Sequence, residues 1–277
     1  MSRDPRTRRA VPARPGQSDP TELDHVREGE EANYQTAKRA VGESFSLVQD
    51  LVDLYEVLGE LIKSLGSSPR EEMVAAAHFL LASRYQLTVG TLSLLRGHLS
   101  DSFLFTRKAI EYCAFAARVK KHPQLARVWL GAGSDEASYE QYQEKFSGRK
   151  LFPKDDALLS ILHGRYDLCA KFSHPSIYSL ARHAEIARAP EAITFLYQYF
   201  QLRDADPSEP IRTLLWVVDT HFGIIRVFQQ VFSEYVAKDR TRWEIRRNAV
   251  DSKIGIHKAK YETIVTSDPD LFPPSGS

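Results

Sequence analysis

At 277 residues the chain is long enough for one or two domains and for a sizeable hydrophobic core. Hydrophobic residues make up 43% and charged residues 26%, proportions that exclude collagen-like, disulfide-scaffold and wholly disordered classes. The net charge of +1 points to no polyanionic partner for the chain as a whole, and two cysteines, Cys113 and Cys169, can build neither a disulfide framework nor an all-cysteine metal site. Such cysteine usage fits a reducing cytoplasm.

The first twenty residues hold five arginines and four prolines without an apolar run, so they do not read as a secretory signal. Residues 1–18 are expected to be a disordered basic tail, and residues 268–277, with three prolines and two serines, a second one. Between them, residues 19–267 are expected to form a single helical domain. Asp19-Pro20-Thr21-Glu22, Ser68-Pro69-Arg70-Glu71 and Asp206-Pro207-Ser208-Glu209 each combine a cap residue, a proline at a first helical position and a glutamate able to close a capping box. After the first start, Val41, Phe45, Val48, Val52, Tyr55 and Ile62 recur at helical spacing and predict one long helix ending at Gly66.

A second helix is predicted from Pro69 to Leu95, stopping near Gly97, and a third from Ser100 to Lys121, closed by Pro123. Shorter helices are expected over Gln124 to Leu130, Asp135 to Phe146 and Asp155 to Lys171, the last halted by Pro175. The β-branched and aromatic run Ile193 to Leu202, behind the turn residues Ala189-Pro190-Glu191, predicts a small hairpin within 183–202. Two closing helices follow, Ser208 to Ala237 and Thr241 to Thr266, the latter opened by Thr241-x-x-Glu244. Met73 to Leu95 and Ile211 to Phe232 are long and apolar, but His78, Arg84 and Gln86 in one and Asp219, His221 and Arg226 in the other make them buried bundle helices, not membrane spans. The fold class is therefore all-α, an up-and-down helical bundle with a small β-hairpin insertion and disordered termini.

One constellation suggests a site. Arg107 and Glu111 stand four residues apart on a helix whose remaining face is strongly apolar and can pair. Tyr166 and Ser173 lie two turns apart on one face of another helix, with His174 at its end, where the helix dipole favours a charged imidazole. Other chemistries fail on spacing. Gly131 and Gly133 form no phosphate loop, neither H-E-x-x-H nor C-x-x-C occurs, and E-x-x-H occurs once, at Glu22-Leu23-Asp24-His25, where a di-iron bundle needs a pair, so no metal and no cofactor are expected.

The stretch Leu94-Leu95-Arg96-Gly97-His98-Leu99, leading into Arg107-x-x-x-Glu111 and then Tyr166-x6-Ser173-His174-Pro175-Ser176, resembles bacterial all-helical proteins grouped as HEPN-like, over roughly Met73 to Leu180. That resemblance implies an all-helical fold and a homodimer. Nuclease members of the group carry an arginine and a following histidine with four to six residues between them, completed across the dimer. This chain departs from that pattern: Arg118 precedes His122 with three residues between, and Arg165 precedes His174 by nine positions.

Charge is segregated along the chain. Residues 1–18 carry five arginines against one aspartate, and residues 240–260 seven basic against two acidic side chains, so both are candidate RNA contacts. The expected function is a non-catalytic HEPN-like interaction or sensing module, a cytoplasmic homodimer with Arg107, Glu111, Tyr166, Ser173 and His174 lining a polar pocket. The alternative is a metal-independent ribonuclease or toxin-like RNA cleaver, with His174 as acid/base and Arg107 on the phosphate.

Overall fold

The computed structural model describes residues 21–63, 70–146, 151–173, 184–189, 192–197, 208–267 and 271–272. The expected basic tail 1–18, the pairs Asp19-Pro20, Ser68-Pro69 and Asp206-Pro207, and His174 with Pro175 lie outside the described residues. In the second expected tail, 268–277, the described residues correct the expectation: Leu271 is buried in the core and Phe272 packs against it, so apolar burial holds this part of the segment in place. The chain is mainly helical. Helix α1 (Glu22–Val41) is followed by a 3-10 turn (Gly42–Phe45) and α2 (Ser46–Ile62). Then come α3 (Glu71–Leu95), α4 (Leu99–Lys121), α5 (Leu125–Gly131), α6 (Glu136–Lys145) and α7 (Ala157–Ser173). Strand β1 (Ala184–Ala189) pairs antiparallel with β2 (Ala192–Tyr197), Ala184 opposite Tyr197. Helix α8 (Glu209–Val231), a single turn (Ser233–Val236), α9 (Arg240–Lys260) and a last short helix (Glu262–Thr266) complete the order.

Local chemistry explains most boundaries and corrects several expectations. The first cap is Thr21, not Asp19: Asp24 N donates to Thr21 Oγ1 at 3.3 Å while Asp24 Oδ2 accepts from Thr21 N at 2.9 Å, closing a capping box. The single long first helix is broken at Gly42, whose φ of 53° places it in the left-handed region that side-chain-bearing residues avoid. Helix α3 ends in a Schellman motif: Gly97 (φ 95°) donates to Leu94 O at 3.0 Å and His98 to Ser93 O at 2.9 Å. Arg70 and Ser208 precede their helices without a side-chain cap bond. The expected box at Thr241 is also absent, because α9 starts one residue earlier and Glu244 takes Arg240 Nε at 2.6 Å instead.

Helix α8 runs through the middle of the bundle, burying most of its circumference from Ile211 to Val231 and leaving one stripe, through Arg212, Asp219, Arg226 and Gln230, partly or fully exposed. Helices α3 and α4 form an antiparallel hairpin, in which Phe79 meets Phe115 edge-on at 5.6 Å and Ser83 Oγ donates across to Ala109 O at 3.4 Å. Helix α7 runs antiparallel to α4: Phe172 stacks on Phe103 at 4.6 Å near one end, and Asp155, just before α7, lies 3.7 Å from Lys121 at the other. Helix α9 lies antiparallel on α2 with Trp243, Val250 and Ile254 buried. No helix among the described residues is long and apolar enough to cross a membrane.

Candidate functional site

The α4–α7 seam carries the site. Helix α4 contributes Arg107 and Glu111 because a four-residue step returns to the same face of a helix, and α7 contributes Tyr166 from the facing stripe. Arg107 Nη2 donates to the Tyr166 hydroxyl at 2.6 Å, and its Cζ lies 4.5 Å from the Tyr166 ring centroid. The guanidinium thus has both a hydrogen bond and a cation-π contact to one residue. On its other side Arg107 Nε is 3.5 Å from Glu111 Oε1, an ion pair whose side chains are 20% and 30% exposed, so solvent screens it only in part.

Electrostatics at this seam follow from burial. Burial raises the Tyr166 hydroxyl above its ordinary range, the Arg107 hydrogen bond opposes that shift and the Glu111 charge adds to it. Tyr166 therefore stays a neutral phenol. It is flanked by Phe152 at 5.3 Å, which in turn stacks on His163 at 4.9 Å. The expected cluster is brought together at Arg107, Glu111 and Tyr166. Ser173 lies two turns further along α7 with its hydroxyl buried and without a hydrogen-bond partner. His174 lies outside the described residues.

Cys113 and Cys169 are both fully buried, and burial pushes both thiols far above the range in which a thiolate could act. Among the described residues no group of three His, Cys, Asp or Glu side chains is placed to hold a metal.

Two polar clusters, one partly and one fully buried, escaped sequence reasoning. Asp219 on α8 accepts from Arg165 of α7 and from Lys258 Nζ of α9 at 3.3 Å, while Arg165 Nη1 donates to Thr220 Oγ1 at 2.9 Å. Burial works to raise the Asp219 carboxyl, but the two cations outweigh it and hold the group below the usual carboxylate range. His221, two residues on, is sealed against Tyr55 of α2. The available signal was the placement of charged and titratable residues inside the most apolar helix of the chain, where each must find a partner.

The basic run 240–260 is largely matched from within. Lys260 pairs with Glu43, Lys253 Nζ reaches Asp50 Oδ1 at 2.8 Å, and Arg242 Nη2 reaches Glu60 Oε2 at 2.9 Å. The basic residues step along α9 as the acidic ones step backwards through α2 into the 3-10 turn before it, so this charge serves helix docking as well as facing solvent. Comparison with protein-family models, with curated proteins and with solved structures finds no match to this chain.

Proposed function

We propose that the protein is a non-catalytic, HEPN-like helical interaction or sensing module that works as a cytoplasmic homodimer, with the Arg107, Glu111 and Tyr166 cluster as a positioning element between α4 and α7. The observation that supports this reading is the state of Arg107. A guanidinium that stabilises charge on a scissile phosphate needs a face free to approach the phosphate, whereas Arg107 gives one nitrogen to the Tyr166 hydroxyl at 2.6 Å and holds Glu111 at 3.5 Å. A carboxylate that close also opposes the approach of an anion.

The test is incubation of the purified protein with mixed single-stranded and structured RNA in the presence of a chelator, beside light scattering for the oligomeric state. The RNA should stay intact and the scattering mass should be that of a dimer. Cleavage lost in both Arg107→Ala and His174→Ala, with each variant still folded, would overturn this reading in favour of a metal-independent ribonuclease.

A further inference from the structure

At the far end of the α4–α7 pair from Phe103 and Phe172, a cleft of about 430 Å³ opens between the last turns of α4 and the first turn of α7. Arg118, Lys121 and His122 line one wall; a spacing of three puts Arg118 and Lys121 on the same face of α4, His122 follows as the residue just past the helix, and Pro123 closes it. The negative end of the α4 dipole steadies the two cations there. Asp155 and Asp156 stand on the opposite wall, and Ala117, Leu151, Pro153 and Leu158 supply the apolar surface between.

The two aspartates are not equivalent. Asp156 is committed to the fold: its Oδ1 accepts from Leu159 N at 3.0 Å, and its carbonyl accepts from Ser160 N at 2.9 Å, so it caps α7. Asp155 is 77% exposed and faces Lys121, itself 63% exposed, at 3.7 Å. That distance is beyond hydrogen-bond reach, and an exposed pair of this kind holds its partners weakly. Both side chains can therefore exchange each other for a ligand.

We propose that this cleft binds a small zwitterion, an α-amino acid with an apolar side chain. Its carboxylate is taken by Lys121 and Arg118, its ammonium by Asp155, and its side chain by the surface of Ala117, Pro153 and Leu158. The mixed charge of the walls argues for this class. A plain anion would meet two aspartates and a plain cation would meet Arg118 and Lys121, whereas a ligand with both charges finds a complementary partner on each wall. This site is separate from the Arg107 cluster, and its failure would leave the proposed function standing.

Calorimetric titration of the full chain with L-leucine, N-acetyl-leucine and leucine amide tests the inference. Leucine should saturate in roughly the millimolar range, with each single-charge analogue at least about tenfold weaker. Lys121→Gln should weaken leucine and N-acetyl-leucine but not leucine amide; Asp155→Asn should weaken leucine and leucine amide but not N-acetyl-leucine. Both substitutions fall on exposed side chains that the fold does not need. Equal binding of leucine and either analogue, binding indifferent to both substitutions, or no heat up to about 10 mM leucine would overturn the proposal.

Discussion

The hydroxyl of Tyr55 and Nδ1 of His221 meet at 3.1 Å across the α2–α8 contact, with the residues 2% and 0% exposed. The rings stand edge to face, and the other imidazole nitrogen, Nε2, is buried without a partner. Burial alone lowers the His221 pKa from 6.5 to about 3, because a charged imidazole there would lose its hydration and gain no counter-ion.

The sign of the resulting pH dependence follows. Unfolded His221 takes up a proton near pH 6.5 and folded His221 only near pH 3, so its contribution to stability is complete above 6.5 and is lost as the pH falls through that window. The slope is about 1.4 kcal/mol per pH unit, or about 2 kcal/mol between pH 6.5 and pH 5. Urea unfolding across this range should show that loss. His221→Gln keeps a polar partner for Tyr55 and does not titrate, so its stability should be flat over the same interval; an unchanged slope would assign the proton uptake to another group.

Sequence periodicity and punctuation made the helices legible because they are local. The residues that end α3 and α4, Gly97 and Pro123, act through their own backbone, and the Arg107 to Glu111 pair needs only a four-residue step. Partnerships across the fold were not legible. Tyr166 is 59 positions from Arg107, Arg165 is 54 positions from Asp219, and no local rule connects either pair. The break at Gly42 was missed for a different reason, since the apolar spacing continues through it and only a positive φ reveals the interruption.

The charge ladder between α2 and α9 makes a second expectation. Lys253 and Asp50 are 2.8 Å apart, with Lys253 half exposed, so the pair contributes on the order of 0.5 kcal/mol. Lys253→Glu sets like charges together and should cost up to about 1 kcal/mol, and adding Asp50→Lys should restore most of it. Chemical denaturation in low and high salt measures both, with the single variant's loss shrinking as salt rises.

Asp219 should be far more sensitive. It is the only acidic partner of Arg165 among the described contacts and also accepts from Lys258, and its side chain is 20% exposed. Asp219→Ala leaves two cations facing each other in a poorly solvated place, and a loss of about 2 to 3 kcal/mol is expected. Because the carboxyl is held below its ordinary range, its contribution is present at neutral pH and fades as the pH falls through the acid range of carboxylates. Equilibrium unfolding of Asp219→Ala at neutral pH checks the first figure; a cost no greater than that of an exposed ion pair would show that water reaches the network.

The Arg107 cluster separates energetically from these. Tyr166→Phe removes the acceptor of the 2.6 Å bond while keeping the ring under the guanidinium, so it should cost about 1 to 1.5 kcal/mol. Glu111→Leu removes the charge 3.5 Å from Arg107 Nε and keeps the helix. If one guanidinium serves both neighbours, the cycle of Arg107→Met with Glu111→Leu and the cycle of Arg107→Met with Tyr166→Phe should each give a coupling of about 0.5 to 1.5 kcal/mol. Strict additivity in the first cycle would reduce Glu111 to a spectator at the seam, and additivity in both would dissolve the clasp between α4 and α7 on which the positioning role of Arg107 depends.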